Sequence, residues 1–267
     1  MFPRFCFEDR VVIVTGASSG IGRATALELA RRKARVALAS RNREVLQELE
    51  RAIHEMGGSS AALVTDITDP DNVRWLVEET MTRWKRIDVL IANAGRYARG
   101  RIQEADKSLF EKSFAVNFYG VLYAIQAVLP QMIRQREGHI VIVNSLDAKK
   151  GIVGDGPYVA AKAALDGFID VLRQELYGTG VRVTSIFPGR VDTPMIQHLT
   201  VPRISPKISP DRVVKSIIKG IRTKRSSIIV PALYGPVPIL NFLFPRLMDW
   251  GYRIFGIEGV QKKVEGS

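Results

Sequence analysis

Short runs of apolar, mostly β-branched residues alternate along this chain with longer segments of helical periodicity. Strands are predicted for the short runs at 11–14, 36–39, 62–64, 89–92, 139–144, 182–187 and 227–230. Helices are predicted between them at 22–32, 43–56, 71–85, 107–136, 158–177 and 210–222, the last with Ser209 as its N-cap. Strands that are joined by helices in this way lie parallel in one sheet, with right-handed crossover connections. The pattern therefore predicts a three-layer α/β fold, in which a doubly wound parallel sheet of about seven strands carries helices on both faces.

The length and composition are those of one folded domain. A chain of 267 residues can bury a sizeable core, and its 46% hydrophobic and 25% charged residues are usual for a globular protein. No linker or repeat interrupts the alternation, so we expect a single domain over 1–267 with its core at about 8–230. The one cysteine, Cys6, excludes an internal disulfide, and the three histidines lack metal-ligand spacing.

The net charge of +12 favours contact with phosphate groups on nucleic acids, anionic membranes or cofactors. The basic residues lie in short scattered groups without a long basic tail or zinc-finger spacing, which argues against nucleic-acid binding. Acidic residues stand near the N-terminus where the apolar part of a secretory signal would continue, and the apolar run at 11–14 is too short to span a bilayer. We expect a cytoplasmic protein.

The first strand–helix unit carries a glycine-rich turn. The sequence "VVIVTGASSGIGRATALELA" reads as a strand, a turn containing Gly16, Gly20 and Gly22, and an amphipathic helix. Glycines permit a tight turn and close backbone approach, and the free N–H groups at the start of the helix suit a pyrophosphate. A glycine triplet between the first strand and the helix that follows it predicts dinucleotide binding more specifically than a glycine triplet without that context. The alternative is a glycine-rich loop without a ligand.

The end of the second strand bears on which dinucleotide is bound. An acidic residue at this point would hydrogen-bond the ribose hydroxyls of NAD, but the sequence reads Ser40-Arg41-Asn42-Arg43. A guanidinium suits the ribose 2′-phosphate of NADP. Arg41 therefore predicts NADP(H) rather than NAD(H), unless its side chain simply faces solvent.

The stretch "SLDAKKGIVGDGPYVAAKAAL" at 145–165 places a serine upstream of a tyrosine and a lysine four residues apart. Each residue has an ordinary explanation: Ser145 could end a strand, Tyr158 could pack in the core, and Lys162 could be solvated. Positions i and i+4 share one helix face, however, so the ammonium of Lys162 can lie near the phenol of Tyr158.

Six ordered motifs together resemble the short-chain dehydrogenases/reductases. They are "TGASSGIG" (15–22), "NAG" (93–95), Asn117 in "VNFYG", Ser145, "YVAAK" (158–162) and "PGRVDTP" (188–194). The resemblance runs from about 11 to 230. It implies a single Rossmann-type domain with a seven-stranded parallel sheet, and an enzyme that interconverts a carbonyl and an alcohol with NAD(P). It also implies a homodimer or homotetramer built from the helices at 107–136 and 158–177.

The resemblance assigns four catalytic residues: Asn117, Ser145, Tyr158 and Lys162. Tyr158 would exchange a proton with the substrate oxygen, and the cation of Lys162 would lower the pKa of the phenol from about 10. Ser145 would hydrogen-bond the developing oxyanion. Lys162 would also hold the nicotinamide ribose, and Asn117 would anchor a water that relays protons to Lys162. No metal site is expected.

The resemblance also assigns the cofactor contacts, position by position. Asp66 matches the residue that touches the adenine amine, and Ile21 a neighbour of the pyrophosphate. The turn at 188–193 matches the segment that holds the nicotinamide carboxamide. The complete expected set is Gly16, Ser18, Ser19, Gly20, Ile21, Gly22, Arg41, Asp66, Ile67, Asn93, Tyr158, Lys162, Pro188, Gly189, Val191 and Thr193. A cofactor-binding sensor or scaffold that does no chemistry is the alternative function, although such a protein would be expected to lose the tyrosine or the lysine.

One departure from the family pattern follows Ser145. The family often has small residues here, whereas this chain has Leu146, Asp147, Lys149 and Lys150. Asp147 either faces the substrate or satisfies the backbone of its own loop. The departure leaves the catalytic residues intact and leaves the substrate open.

Two further segments concern the substrate. The family places its substrate lid at about 190–210, and three prolines beside apolar residues at 195–210 predict a mobile loop rather than a fixed helix. An apolar extension follows at about 231–258, whose prolines argue against a continuous membrane-spanning helix. We expect the extension to cover the substrate or form a subunit interface, and contact with a membrane surface is a less favoured alternative. Together the two segments predict a bulky lipophilic carbonyl substrate, although both could instead pack on the core or on a partner subunit.

Overall fold

The computed structural model describes residues 5–257 and 260–261. Its strands are β1 (Val11–Thr15), β2 (Arg35–Ser40), β3 (Ser59–Val64), β4 (Val89–Ala92), β5 (Gly138–Val143), β6 (Val181–Pro188), β7 (Leu199–Thr200), β8 (Ser227–Val230) and β9 (Val260–Gln261). Its α-helices are α1 (Gly20–Arg31), α2 (Arg43–Glu55), α3 (Pro70–Trp84), α4 (Lys107–Phe114), α5 (Gly120–Gln135), α6 (Gly156–Glu175), α7 (Pro210–Thr223), α8 (Val237–Leu243) and α9 (Pro245–Ile254). Ser209 is the N-cap of α7, although its side chain makes no capping hydrogen bond.

Seven strands form one parallel sheet in the order β3-β2-β1-β4-β5-β6-β8. At its centre, Val14 of β1 lies opposite Leu38 of β2 on one side and Ile91 of β4 on the other. The chain winds outward in opposite directions from β1 and β4, which opens a crevice at the carboxyl ends of these strands. The Rossmann-type fold expected from the sequence is confirmed.

Each face of the sheet is covered by three helices. Leu29 of α1, Leu49 of α2 and Ile217 of α7 are buried against one face. Val73 of α3 and Ile125 of α5 are buried against the other, together with residues of α6. Because both faces are covered, the strands are apolar on both sides, which explains the continuous β-branched runs in the sequence.

The helix predicted at 107–136 is not a regular α-helix throughout. A π-helical turn, Ala115–Tyr119, joins α4 to α5 and contains Asn117. Such turns occur mostly inside α-helices and often at functional sites. The continuous helix Lys107–Gln135 has the length and apolar composition of a membrane span, but α5 buries Ile125 and Val128 against the sheet as a core helix does.

The two substrate-related segments contain regular structure that the sequence does not predict. β7, in the expected lid, pairs with β9 antiparallel, and Val191 bridges to Ile208 at the base of the lid. The expected extension folds into a 3₁₀ turn, Ala232–Tyr234, followed by α8 and α9. Its last predicted residue, Glu258, lies outside the described residues.

Candidate active site

The glycine turn between β1 and α1 is shaped by close backbone contacts. Gly16 and Gly20 have φ angles of +66° and +52°, a conformation that L side chains rarely adopt. A Cβ at Gly22 would lie 2.1 Å from the carbonyl oxygen of Gly16. The Asn93 amide nitrogen donates to the carbonyl oxygens of Thr15 (3.0 Å) and Gly16 (3.3 Å), so it holds the turn against the end of β4.

A cavity of about 660 Å³ opens at the carboxyl ends of the strands beside this turn. Most of the sequence-predicted cofactor residues line it. They are Gly16, Ser18, Ser19, Gly20, Ile21, Arg41, Asp66, Ile67, Asn93, Tyr158, Lys162, Pro188, Gly189, Val191 and Thr193. Gly22 is the exception, because it packs behind Gly16 and acts on the shape of the turn rather than on the cavity surface.

One end of the cavity is formed by the residues after β2 and β3. Arg41 is exposed there, while Asn42 caps α2 by accepting a hydrogen bond from the amide of Val45. One oxygen of Asp66 accepts from the backbone amide (2.9 Å) and the hydroxyl (2.7 Å) of Thr68. Burial raises the pKa of Asp66, but these hydrogen bonds and the charge of Arg41 outweigh it and keep the carboxylate ionised. This end therefore offers a guanidinium and a carboxylate oxygen.

Ser145, Tyr158 and Lys162 meet on the wall of the cavity at its other end. Ser145 lies two residues after the end of β5, and its hydroxyl oxygen accepts a hydrogen bond from the amide of Asp147 at 3.1 Å. Its side chain also acts on the phenol of Tyr158, whose pKa it lowers. One turn further along α6, Lys162 is 3% exposed, and its Nζ lies 5.9 Å from the centre of the Tyr158 ring. The same Nζ donates to the carbonyl oxygen of Val143 at 3.0 Å.

The electrostatics of this group differ from the expectation that Lys162 lowers the pKa of Tyr158. Burial raises the pKa of the Tyr158 phenol well above 10, and the carboxylates of Asp147 and Asp155 raise it further. Burial also lowers the pKa of Lys162 to about 8. Both shifts favour the neutral forms, as desolvation does for any ionisable group. Tyr158 is therefore a protonated phenol at neutral pH.

Asn117 lies behind the cavity wall and is fully buried. Its amide nitrogen donates to the carbonyl oxygen of Arg96 (2.8 Å) and to Ser113 (3.2 Å), and its carbonyl oxygen accepts from the amide of Arg96 (3.0 Å). These bonds fasten the loop after β4 to the π-helical turn. The water relay expected of Asn117 stays a prediction.

These residues fit a nicotinamide dinucleotide. The three glycines leave a cradle that a Cβ would fill, Arg41 and Asp66 stand at one end of the same cavity, and Lys162 and Tyr158 stand at the other. The N-cap residue of α1, Ser19, makes no side-chain hydrogen bond to the helix, which leaves the first N–H groups of α1 available to a pyrophosphate. Within the described residues, no group of three or more potential metal ligands is found.

A family model for short chain dehydrogenases matches residues 10–203, well over half of the sequence. The chain belongs to the short-chain dehydrogenases/reductases. It is accordingly an oxidoreductase that acts on CH–OH and carbonyl groups with a nicotinamide cofactor.

Individual members of the family resemble the chain over most of its length. The fatty acyl-CoA reductase of Acinetobacter baylyi is 33% identical over 258 residues, which cover 93% of this chain and 86% of that protein. A short-chain dehydrogenase/reductase of Burkholderia phymatum in complex with NAD shares the fold, with a TM-score of 0.83 and 23% identity over 91% of this chain and 96% of that one. A variant actinorhodin polyketide ketoreductase with NADPH gives a TM-score of 0.79 and 27% identity over 86% and 97%.

The part of this dehydrogenase that would receive substrate contains charged residues to which the family resemblance assigns no role. Asp147 and Arg190 both line the cavity, and contact of Asp147 with the substrate stays a prediction. Burial raises the pKa of Asp147 to about 7, with a further contribution from Asp155, while Arg190 opposes the shift. Arg190 donates to the carbonyl oxygen of Ile257 at 2.6 Å, and its other terminal nitrogen, Nη1, is buried without a hydrogen-bond partner among the described residues.

A second carboxylate, that of Asp155 just before α6, also raises the pKa of Tyr158. Asp155 is 2% exposed. It accepts a hydrogen bond from the Tyr97 hydroxyl at 2.6 Å and forms an ion pair with Arg99 at 2.9 Å. The ring of Tyr97 in turn packs edge-on against that of Tyr158, with their centres 5.2 Å apart. Both residues lie near motifs in the sequence, Tyr97 two residues after "NAG" and Asp155 three residues before "YVAAK", but neither motif indicates that the two side chains meet.

Proposed function

We propose that this enzyme reduces the carbonyl group of a lipophilic, acyl-chain substrate with NADPH. The proposal is carried by one observation: a serine hydroxyl, a protonated phenol and a buried lysine ammonium meet in a cavity whose opposite end bears Arg41. The glycine turn and Asp66 would hold the dinucleotide between these two ends.

The protein supplies the proton and the orientation for this reaction. The bound nicotinamide would supply the hydride. Tyr158 would donate its phenolic proton to the carbonyl oxygen as negative charge develops there, and the Ser145 hydroxyl would hydrogen-bond the same oxygen. Lys162, held by the carbonyl oxygen of Val143, would bind the nicotinamide ribose and stabilise the phenolate after proton transfer.

The protonation state of Tyr158 favours reduction. A buried phenol with a raised pKa can donate a proton at neutral pH, whereas oxidation of an alcohol requires the phenolate. We therefore expect reduction to proceed at pH 7 and oxidation to become faster as pH rises.

The preference for NADPH rests on Arg41 and can be tested separately. NADPH should bind more tightly than NADH, and Arg41→Asp should reverse that order, because the carboxylate would repel a 2′-phosphate and accept hydrogen bonds from free ribose hydroxyls. Fluorescence titration with both reduced cofactors gives the two dissociation constants. Equal binding by the unmodified enzyme would contradict the role of Arg41.

The substrate class is supported by the lid and by one relative. Val191, Met195, Ile196 and Leu199 bring apolar surface to the cavity, and a relative that covers 93% of this chain is named a fatty acyl-CoA reductase. Each methylene buried there contributes about 0.8 kcal/mol, so kcat/KM should rise with the chain length of an acyl ketone or acyl thioester series. A flat or falling series would contradict the acyl-chain proposal and leave the reductase assignment standing.

The catalytic assignment is tested by Tyr158→Phe. This variant should bind NADPH normally and lose about 10²-fold or more in turnover, since only the proton donor is removed. Cofactor absorbance at a fixed carbonyl substrate measures the rate, and cofactor fluorescence measures binding. Near-normal turnover would refute the assignment, whereas an enzyme without turnover on any carbonyl would favour a non-catalytic dinucleotide sensor. A homodimer or homotetramer and a cytoplasmic location stay predictions.

A further inference from the structure

Large apolar side chains are exposed together on the C-terminal extension. Ten lie between residues 233 and 255: Leu233, Ile239, Leu240, Phe242, Leu243, Phe244, Leu247, Trp250, Ile254 and Phe255. We call these ten residues the tail surface. Phe242 is 84% exposed and Trp250 60%. Clustered exposure of this kind marks an interaction surface, because single apolar residues are normally scattered.

Helix α9 shows that the exposure is built into the fold. Leu247, Trp250 and Ile254 are spaced i, i+3 and i+7, so they form one apolar stripe, and all three are at least 58% exposed. The polar residue Asp249 instead pairs with Lys150 beside the active site. The apolar face of this amphipathic helix therefore points away from the protein, the reverse of an ordinary surface helix.

The extension does not cover the cavity, as one sequence expectation had it. No described residue between 231 and 257 lines that cavity. Polar contacts fasten the extension to the loops around the site: Asn241 donates to the carbonyl oxygen of Lys149 at 3.2 Å, and Arg190 donates to that of Ile257. The tail surface is therefore fastened beside the active-site loops and faces outward.

We propose that the tail surface docks the enzyme on an anionic lipid bilayer. Its apolar stripe is flanked by the exposed residues Arg246 and Arg253, and Asp249 is already neutralised by Lys150. Short helices that carry phenylalanine, tryptophan and leucine on one face and arginine beside them lie in the headgroup region. Helices α8 and α9 have 7 and 10 residues, too short to cross a bilayer.

The charges favour a membrane over a second copy of the chain. In a two-fold contact, the same patch meets itself. Arg246 and Arg253 would then approach their own copies, with the nearby carboxylate of Asp249 already used. An anionic bilayer presents the opposite charge to both arginines. Docking would also hold the loops around the cavity at the lipid surface, since Tyr234 of the extension lies 3.5 Å from Ser205 of the lid.

Vesicle flotation tests this proposal without depending on the proposed substrate. The full chain should float with vesicles of phosphatidylcholine containing 30% phosphatidylglycerol and bind pure phosphatidylcholine at least tenfold more weakly. The double variant Trp250→Gln/Ile254→Gln should lose at least tenfold in binding to the anionic vesicles. The matched control Met56→Gln/Trp75→Gln, which removes exposed apolar residues just after α2 and in α3, should bind as the unmodified protein does.

Thermal melting and NADPH titration show whether each variant is folded. If a tail variant unfolds, Arg246→Glu/Arg253→Glu provides the second test and should abolish the preference for anionic vesicles. The proposal is overturned if the unmodified protein binds neither vesicle, or if the tail and control variants bind equally. It is also overturned if sedimentation shows an oligomer that the tail variant dissociates and the unmodified protein does not bind vesicles. In that case a second copy of the chain covers the tail surface.

Discussion

Asp147 provides the sharpest test of the electrostatics at this site, through the substitution Asp147→Asn. Its carboxylate lines the cavity, and the causes that raise its pKa to about 7 are burial and then the negative charge of Asp155. The hydroxyl of Ser145 and the charge of Arg190 offset only part of this. Asp147 in turn raises the pKa of Tyr158, so the substitution acts on both stability and the proton donor.

The magnitude follows from the pKa shift. An aspartate that titrates at 3.8 when unfolded and at about 7 when folded is destabilised in its charged form by about 4 kcal/mol, since each unit is worth about 1.36 kcal/mol. Because the carboxylate opens onto the cavity, we reduce this upper limit to about 1–2 kcal/mol. The cost is absent below pH 3.8, grows as pH rises, and is complete above pH 7. Asp147→Asn should therefore stabilise the protein most at pH 8 and much less at pH 5.

Thermal unfolding at pH 5 and pH 8 measures this difference. A gain of 1–2 kcal/mol at pH 8 corresponds to a Tm rise of roughly 2–8 °C for a chain of this size. Asp106→Asn is the control, because its exposed carboxylate caps α4 and has a lowered pKa, so its removal should give no gain at pH 8. The same Tm change at both pH values, or a loss at pH 8, would refute the reasoning. In the kinetics, Asp147→Asn should move the rise of alcohol oxidation to lower pH, because Tyr158 then loses its proton more easily.

Three further predictions concern the turn, the sheet and the lysine. Gly22→Ala should weaken NADPH binding at least tenfold and lower the Tm, because the new Cβ would lie 2.1 Å from the Gly16 carbonyl oxygen. Its control is Gly167→Ala in α6, where a Cβ would have no neighbour within 4 Å, so this substitution should stabilise the protein by about 0.5–1 kcal/mol. Asp88→Asn should lower the free energy of unfolding in urea by about 3 kcal/mol at pH 7, because it breaks the ion pairs of a buried carboxylate with two arginines. Since the pKa of Asp88 is lowered in the folded protein, this loss of stability should become smaller below pH 4. The rate of reduction should fall as pH rises through about 8, where Lys162 loses its proton; a flat rate from pH 7 to 9 would contradict this role.

Most of the fold could be predicted from periodicity because both sheet faces are covered. Fully buried parallel strands are continuous apolar runs, and each helix shows one apolar stripe. The π-helical turn at Ala115–Tyr119 was missed, because it adds a residue to the helical turn without breaking the apolar pattern. The pairing of β7 with β9 was missed because two-residue strands carry no periodicity.

The sequence motifs predicted which residues line the cavity but not their electrostatics. Fixed spacing places Tyr158 and Lys162 on one helix face, and Ser145 at the end of β5. The carboxylates of Asp147 and Asp155 act on Tyr158 through space, and their proximity depends on how the loop at 146–155 folds. A motif contains no information on that path, so these contributions appear only in the structure.

The direction of the apolar tail was also beyond sequence reasoning. Composition gave residues 231–257 an apolar character, and burial is the usual fate of such residues, which favoured a substrate cover or a subunit interface. The deciding features are the contacts of Asn241 and Asp249 with the loop at 149–150, which fasten the extension beside the active site. In the position that these contacts give the extension, the stripe of Leu247, Trp250 and Ile254 faces outward.

The behaviour of Tyr158 and Lys162 illustrates how burial competes with a neighbouring charge. A cation lowers the pKa of a phenol only while it keeps its proton, and burial brings the pKa of Lys162 down to about 8. The Lys162 ammonium also donates a hydrogen bond to the carbonyl oxygen of Val143 and lies 5.9 Å from the ring centre of Tyr158. Desolvation of the phenol and the nearby carboxylates therefore dominate, and the pair rests as neutral phenol and ammonium at pH 7. In that resting state the proton is already on Tyr158, as the proposed reduction of a carbonyl requires.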